Sequence, residues 1–142
     1  MKSRIWIGSA FIVVAIIALK FTNPAEAEPA KDAQIKHGQY LVERVGMCGD
    51  CHTPRNEKGE LVMNSWLLGN VLEFKPMHPM PFAPVAPPIA GLPTYATDEL
   101  AVRFLETGTN AAGKMALPPM PQYRLDHEDA VSVVAYLRSL KK

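Results

Sequence analysis

Cys48-Gly49-Asp50-Cys51-His52 is the stretch on which the reading of this chain turns. On one helical turn, residues i and i+3 share a face and i+4 lies beside them. Two thiols therefore point the same way, and an imidazole follows at once. C-x-x-C-H is the attachment signature of haem c. The thiols of Cys48 and Cys51 can reach the two vinyl groups on one edge of a porphyrin. His52 then turns under the ring and offers a nitrogen to the iron. Gly49 and Asp50 are short, so the reading expects nothing bulky between the helical turn and the macrocycle edge.

Other readings of these cysteines fit less well. A dithiol redox centre would want a βαβ context, and none is visible. A structural zinc site needs a second pair of ligands at zinc spacing, which the chain lacks. A disulfide between the only two cysteines would leave His52 unexplained. One motif implies one haem c, held by two thioether bonds and carrying one iron.

The iron needs a second ligand or an open position. Met/His ligation raises the reduction potential and favours electron transfer, whereas an open face favours gas binding or peroxide chemistry. Met120 is the leading candidate, in Leu117-Pro118-Pro119-Met120-Pro121. Three neighbouring prolines stiffen the backbone that carries it. A thioether is a soft donor that suits iron in both oxidation states. Met47, Met63, Met77, Met80 and Met115 read first as core fillers, with Met77, Met80 and Met115 the main competitors as ligands. His37, His78 and His127 read as surface residues, and His78 would be the partner in a bis-histidine site. Met77-His78-Pro79-Met80 is only a weak copper pattern. The other ring nitrogen of His52 is expected to donate its proton to a backbone carbonyl within Pro84 to Pro88, which would fix the ring.

Upstream of the motif, Lys2 and Arg4 precede an uncharged apolar run, Ile5 to Leu19, and then Lys20, Pro24 and Ala25-Glu26-Ala27. This order of features is that of an export signal with an A-x-A cleavage site. The run is shorter than the roughly 18 residues of a membrane span. Residues 1–27 are therefore expected to be a signal peptide or a retained N-terminal anchor, and 28–142 the functional domain. Either outcome places that domain in the periplasm or on the outer face of the cytoplasmic membrane. Loss of 1–27, with Lys2, Arg4 and Lys20 against Glu26, turns the formal charge from +1 to −1. Haem propionates would carry it further negative. No basic run or basic helix face is present, so nucleic acid is not an expected partner.

Three helices can be read. The first covers about Ala33 to Val45 with Asp32 as its N-cap, and Ile35, Leu41, Val42 and Val45 form its apolar stripe. Gly38 interrupts it at about 1 kcal/mol relative to Ala, which marks close approach by another element. The second covers about Asp98 to Thr107, between Thr97 as N-cap and Gly108 as terminator. The third covers about His127 to Leu140, capped by Asp126, with Val133, Val134, Leu137 and Leu140 buried and Arg138, Lys141 and Lys142 at its negative end. Between the first and second, Pro76 to Pro93 holds seven prolines in eighteen residues. Such chain must be extended or turning. Its apolar Met77, Met80, Phe82, Val85 and Ile89 point to a stiff loop wrapped over an apolar body. No convincing strand alternation appears.

These residues resemble the class I, mitochondrial cytochrome c-like family over about residues 34 to 141. Gly38-Gln39-Tyr40-Leu41-Val42 looks like its N-terminal helix, and Ala130 to Leu140, with Tyr136, like its C-terminal helix. In the family these cross through a glycine and an aromatic, roles that Gly38 and Tyr136 fit. Pro118-Pro119-Met120-Pro121-Gln122-Tyr123 resembles the distal-methionine loop, which adds to the case for Met120. More narrowly, Cys51-His52-Thr53-Pro54-Arg55 and Pro88-Ile89-Ala90-Gly91-Leu92-Pro93 resemble the cytochrome subunits of membrane-bound alcohol and aldehyde dehydrogenases. The resemblance implies an all-α fold, a small domain of three or more helices wrapped around a covalently bound haem, with a proline-rich loop. It implies a mono-haem electron carrier, not an enzyme. Its partners would be redox proteins, with a membrane dehydrogenase or a terminal oxidase as candidates. The alternative is a five-coordinate haem protein that binds a small ligand or peroxide. Peroxide chemistry would want a polar acid/base group near the iron, and Arg124 is the nearest basic residue to Met120 in sequence.

Overall fold

The computed structural model describes residues 24–140. The expected positive n-region and apolar run, as well as Lys141 and Lys142, lie outside these residues.

Helix α1 spans Pro24–Tyr40 and runs on as a π-helical turn, Leu41–Val45. The expected start at Asp32 is wrong: Asp32 lies within α1. Ala25, Ala27, Ala30 and Ala33 are strong helix formers, so the helix passes across Asp32 even though Pro29 removes one donor. The π-helical turn buries Leu41 and Val42 and closes where the Gly46 N–H donates to the Leu41 carbonyl at 2.7 Å. Met47 then takes a left-handed φ of 45° and reverses the chain into α2, Gly49–His52. Helix α3 spans Asp98–Thr107, and its C-cap Gly108 adopts a left-handed φ of 68°, as a terminating glycine should. Thr97 has the extended backbone of an N-cap, but its hydroxyl bonds the Glu99 carboxylate and caps no backbone N–H. Helix α4 spans His127–Ser139, and the Asp126 carboxylate accepts from the Asp129 N–H at 2.9 Å.

Helices α1 and α4 meet at Gly38. A Cβ there would overlap the Ser132 carbonyl and come within 2.9 Å of the Tyr136 Cβ. Glycine is needed because backbone lies directly opposite. Around this crossing Val42, Ala130, Val133, Val134 and Leu137 join Ala101 and Val102 of α3 and Leu67 and Leu92 of the loops in one core. Burial of the valines and leucines among them stabilises by roughly 1.5–3 kcal/mol each.

An antiparallel ribbon, β1 Asn70–Val71 with β2 Val85–Ala86, ties the base of the proline-rich segment. The expectation for that segment holds for its second half only. Ala83, Val85, Ala86 and Ile89 line an apolar cavity, whereas Met77 is 94% exposed and Met80 50%. Leu67 organises the return of the chain. Its N–H donates to the Thr53 hydroxyl at 3.0 Å, and its carbonyl accepts from Ile89 and Ala90 at 2.9 and 3.1 Å. Arg138 fastens the next turn: its guanidinium donates to the carbonyls of Gly91 and Tyr95 at 2.7 and 3.1 Å and to the Asp98 carboxylate at 2.7 Å. Among the described residues, no helix is long and apolar enough to cross a membrane.

Candidate functional site

The core is hollow on the side where α2 lies. A cavity of about 430 Å³ is bounded by Leu72, Ile89, Leu92, Phe104, Leu105, Val133 and Leu137, and it opens to the surface. Cys48, Cys51, His52 and Met120 all line it. The four site residues picked from sequence are therefore brought together at one apolar cavity. Asp50 is the one acidic side chain among its described lining residues, and no lysine or arginine lines it.

Helix α2 presents the thiols. Cys48 and Cys51 are free and partly buried. Burial pushes the Cys48 thiol up to about 11, against the opposing influence of the backbone and of the nearby Tyr123 phenol. The thiol is therefore neutral at ordinary pH. Gly49 serves a different purpose from the one expected. It does not line the cavity; a Cβ at Gly49 would collide with the Trp66 ring. The missing side chain thus lets Trp66 pack against the back of α2.

His52 is 5% exposed, and its Nδ1 lies 2.7 Å from the Pro87 carbonyl. A carbonyl only accepts, so Nδ1 carries the proton and Nε2 keeps its lone pair for a metal. Burial lowers the pKa of the imidazole, with the Pro87 bond pulling the other way, so the neutral ligating form prevails. Pro87 falls within the stretch expected to supply this carbonyl. The position is secured from both sides: the Gly69 N–H donates to the His52 carbonyl at 2.8 Å, and the Leu67 carbonyl holds Ile89 and Ala90 just beyond Pro87.

Met120 lies in the loop between α3 and α4. Its N–H donates to the Leu117 carbonyl at 3.1 Å, and the Pro118 carbonyl accepts from Ala83 at 2.8 Å. Of the competing methionines, Met63, Met77, Met80 and Met115 do not line the cavity. Met47 does, but it immediately precedes Cys48 on the attachment side. His78 and Arg124 do not line it either. His37 and His127 pair with Asp129 at 2.6 Å and Glu106 at 2.8 Å on the surface. Those two histidines flank a second groove, of about 490 Å³, that is of mixed polarity, open and, among its described lining residues, without a cysteine.

Trp66 and Tyr123 also shape the site, and only Tyr123 carries a signal in the sequence. Trp66 gives no signal, because its partner is a glycine far from it along the chain. Tyr123 could be noticed as an aromatic close behind Met120; its hydroxyl donates to the Gly46 carbonyl at 2.7 Å. Burial first, and then the Cys48 sulfur, push that phenol up to about 12.

The donor set suits a covalently attached iron porphyrin: paired thiols, a neutral imidazole, a thioether and an apolar enclosure. Comparison with known proteins agrees. The family model described as Cytochrome c matches residues 35–141. A diheme cytochrome c-type protein of Cereibacter sphaeroides is 34% identical over 106 residues, which cover 72% of this chain and 34% of that protein. The fructose dehydrogenase cytochrome subunit of Gluconobacter japonicus is 32% identical over 118 residues, covering 72% and 21%. A nicotinate dehydrogenase subunit of Pseudomonas putida is 29% identical over 122 residues, covering 82% and 10%. The chain thus spans between a tenth and a third of the length of these relatives.

Proposed function

Because the chain belongs to the cytochrome c family, and so carries haem c and its iron, we propose that it is a mono-haem electron carrier in which His52 and Met120 would hold the iron. The observation that carries this reading is the meeting of His52 and Met120 at one apolar cavity, with the His52 Nδ1 already committed to Pro87. The haem supplies one-electron exchange at its iron. The protein's own part is to hold two ligands still, exclude water and set the potential. Pro87 keeps the imidazole in one orientation, and the prolines around Met120 limit the motion of the thioether. Little reorganisation then accompanies a change of oxidation state.

Relatives described as cytochrome subunits of dehydrogenases support a redox protein as partner, and a membrane dehydrogenase as the electron donor is the reading we favour. A location outside the cytoplasm rests on the N-terminal segment. N-terminal sequencing of the purified protein checks it: a start at Glu28 indicates release, and an intact Met1 indicates an anchor.

Met120→Ala tests the ligation. The haem should stay attached through Cys48 and Cys51, the reduction potential should fall, and the reduced protein should bind carbon monoxide rapidly. An unchanged potential would assign the iron to another residue. The five-coordinate alternative draws no support from the cavity lining, which among the described residues offers no histidine besides His52 and no arginine as a peroxide acid/base.

A further inference from the structure

The loop that carries Met120 is poor in backbone anchors. Three of the residues from Leu117 to Tyr123 are prolines, without N–H groups. Its internal bonds are local: Met120 to Leu117 and Tyr123 to Pro121, both at 3.1 Å. Ala83 holds it to the proline-rich arm at 2.8 Å. The link to the opposite bank of the cavity is a side chain: the Tyr123 hydroxyl donates to the Gly46 carbonyl at 2.7 Å. Gly46 closes the π-helical turn and lies two residues before Cys48.

The receiving site is shaped for this hydroxyl. A Cβ at Gly46 would lie 3.2 Å from the Tyr123 oxygen and 3.3 Å from the Cys48 sulfur. Both distances are tighter than ordinary packing. The glycine therefore leaves a slot in which phenol oxygen and sulfur sit side by side. The bond is partly buried, so water competes for it poorly.

We propose that Tyr123 is a positioning residue for the distal ligand: its hydroxyl clamps the Met120 loop to the Cys48 segment and so holds the thioether against the iron. The proposal rests on Met120 being the ligand. Loop and attachment segment then form one closed ring, from Cys48 through Gly46 and Tyr123 to Met120. Without the hydroxyl, only the thioether–iron bond ties the loop to the attachment side of the cavity, and Ala83 alone holds it from the proline-rich arm. A phenylalanine would fill the same space without clamping.

The test uses the full haem-loaded protein in its ferric form. Imidazole is titrated in, and loss of the weak far-red absorption of methionine-ligated ferric haem is followed. In Tyr123→Phe the apparent imidazole affinity should rise about three- to tenfold, the equivalent of one lost hydrogen bond. Gly46→Ala crowds the same hydroxyl and leaves the phenol in place, and should move the affinity in the same direction. Equal imidazole affinity in wild type and both variants overturns the proposal. So does a lowered melting temperature of Tyr123→Phe with unchanged imidazole affinity, which would make the bond structural only. Met120→Ala is the control: it should lack the far-red band and bind imidazole most tightly. If wild type itself lacks that band, the ligation reading has failed and the clamp falls with it.

Discussion

Tyr136 shows how much one side chain can carry. Its Cβ faces Gly38 at the α1–α4 crossing, and its hydroxyl donates to the Glu43 carboxylate at 2.7 Å. Burial, and then Glu43, push the phenol from 10 up to about 12. A raised pKa means that folding favours the protonated form. The resulting stability is fully present below pH 10 and is lost as pH rises through about 12. Tyr136→Phe should lower stability by about 1 kcal/mol at neutral pH. It should also make the alkaline decline shallower, without abolishing it, since Tyr123 is raised to about 12 as well. Denaturant unfolding at a series of pH values checks both. At this scale what sequence makes legible is the chemistry of the candidate site. Cys48, Cys51, His52 and Met120 carry chemistry that few other residues supply, and all four line the cavity. Gly49 is easily misread because an absent side chain does not say which neighbour uses the space; here it is Trp66.

The crossing of α1 and α4 gives the sharpest prediction for the elements. Intrinsic helix propensity alone says that Gly38→Ala should stabilise by about 1 kcal/mol. The geometry says the opposite, since the new methyl would meet the Ser132 backbone. A backbone carbonyl yields only if α4 slides, and overpacking of this kind costs about 1–3 kcal/mol or more. A net loss of roughly 1 kcal/mol or more is expected after the propensity gain is subtracted, read as a lower denaturation midpoint with unchanged slope. The boundaries of α3 and α4 are legible because acidic first turns, Asp126 and Gly108 mark them. The start of α1 is not, because alanines on both sides of Asp32 give the cap no boundary to mark. Strands β1 and β2 escape a sequence reading for a simple reason. Two residues each cannot display a period of two, and the pairing follows from the chain's return around Leu67.

The molecule as a whole is built around a hollow. Without haem, about 430 Å³ of largely apolar lining is left unfilled. At about 24 cal/mol per Å³ this corresponds to roughly 10 kcal/mol, an upper figure because the cavity opens to the surface. That is of the order of a whole domain's stability, about 5–15 kcal/mol. Replacement of both Cys48 and Cys51 by serine should therefore remove more than the covalent bond. Once the haem is extracted, the chain should show no cooperative thermal transition by circular dichroism, whereas the native protein keeps its colour under acid–organic extraction and unfolds in one step. The pairing of α1 with α4 adds a constraint on timing. A chain made from its N-terminus onward cannot seat Gly38 until His127–Ser139, far downstream of it, has been synthesised. Until then Val133 and Leu137 do not close the cavity, and a porphyrin can reach Cys48 and Cys51. Maturation thus has a built-in interval, and it closes when the final helix docks.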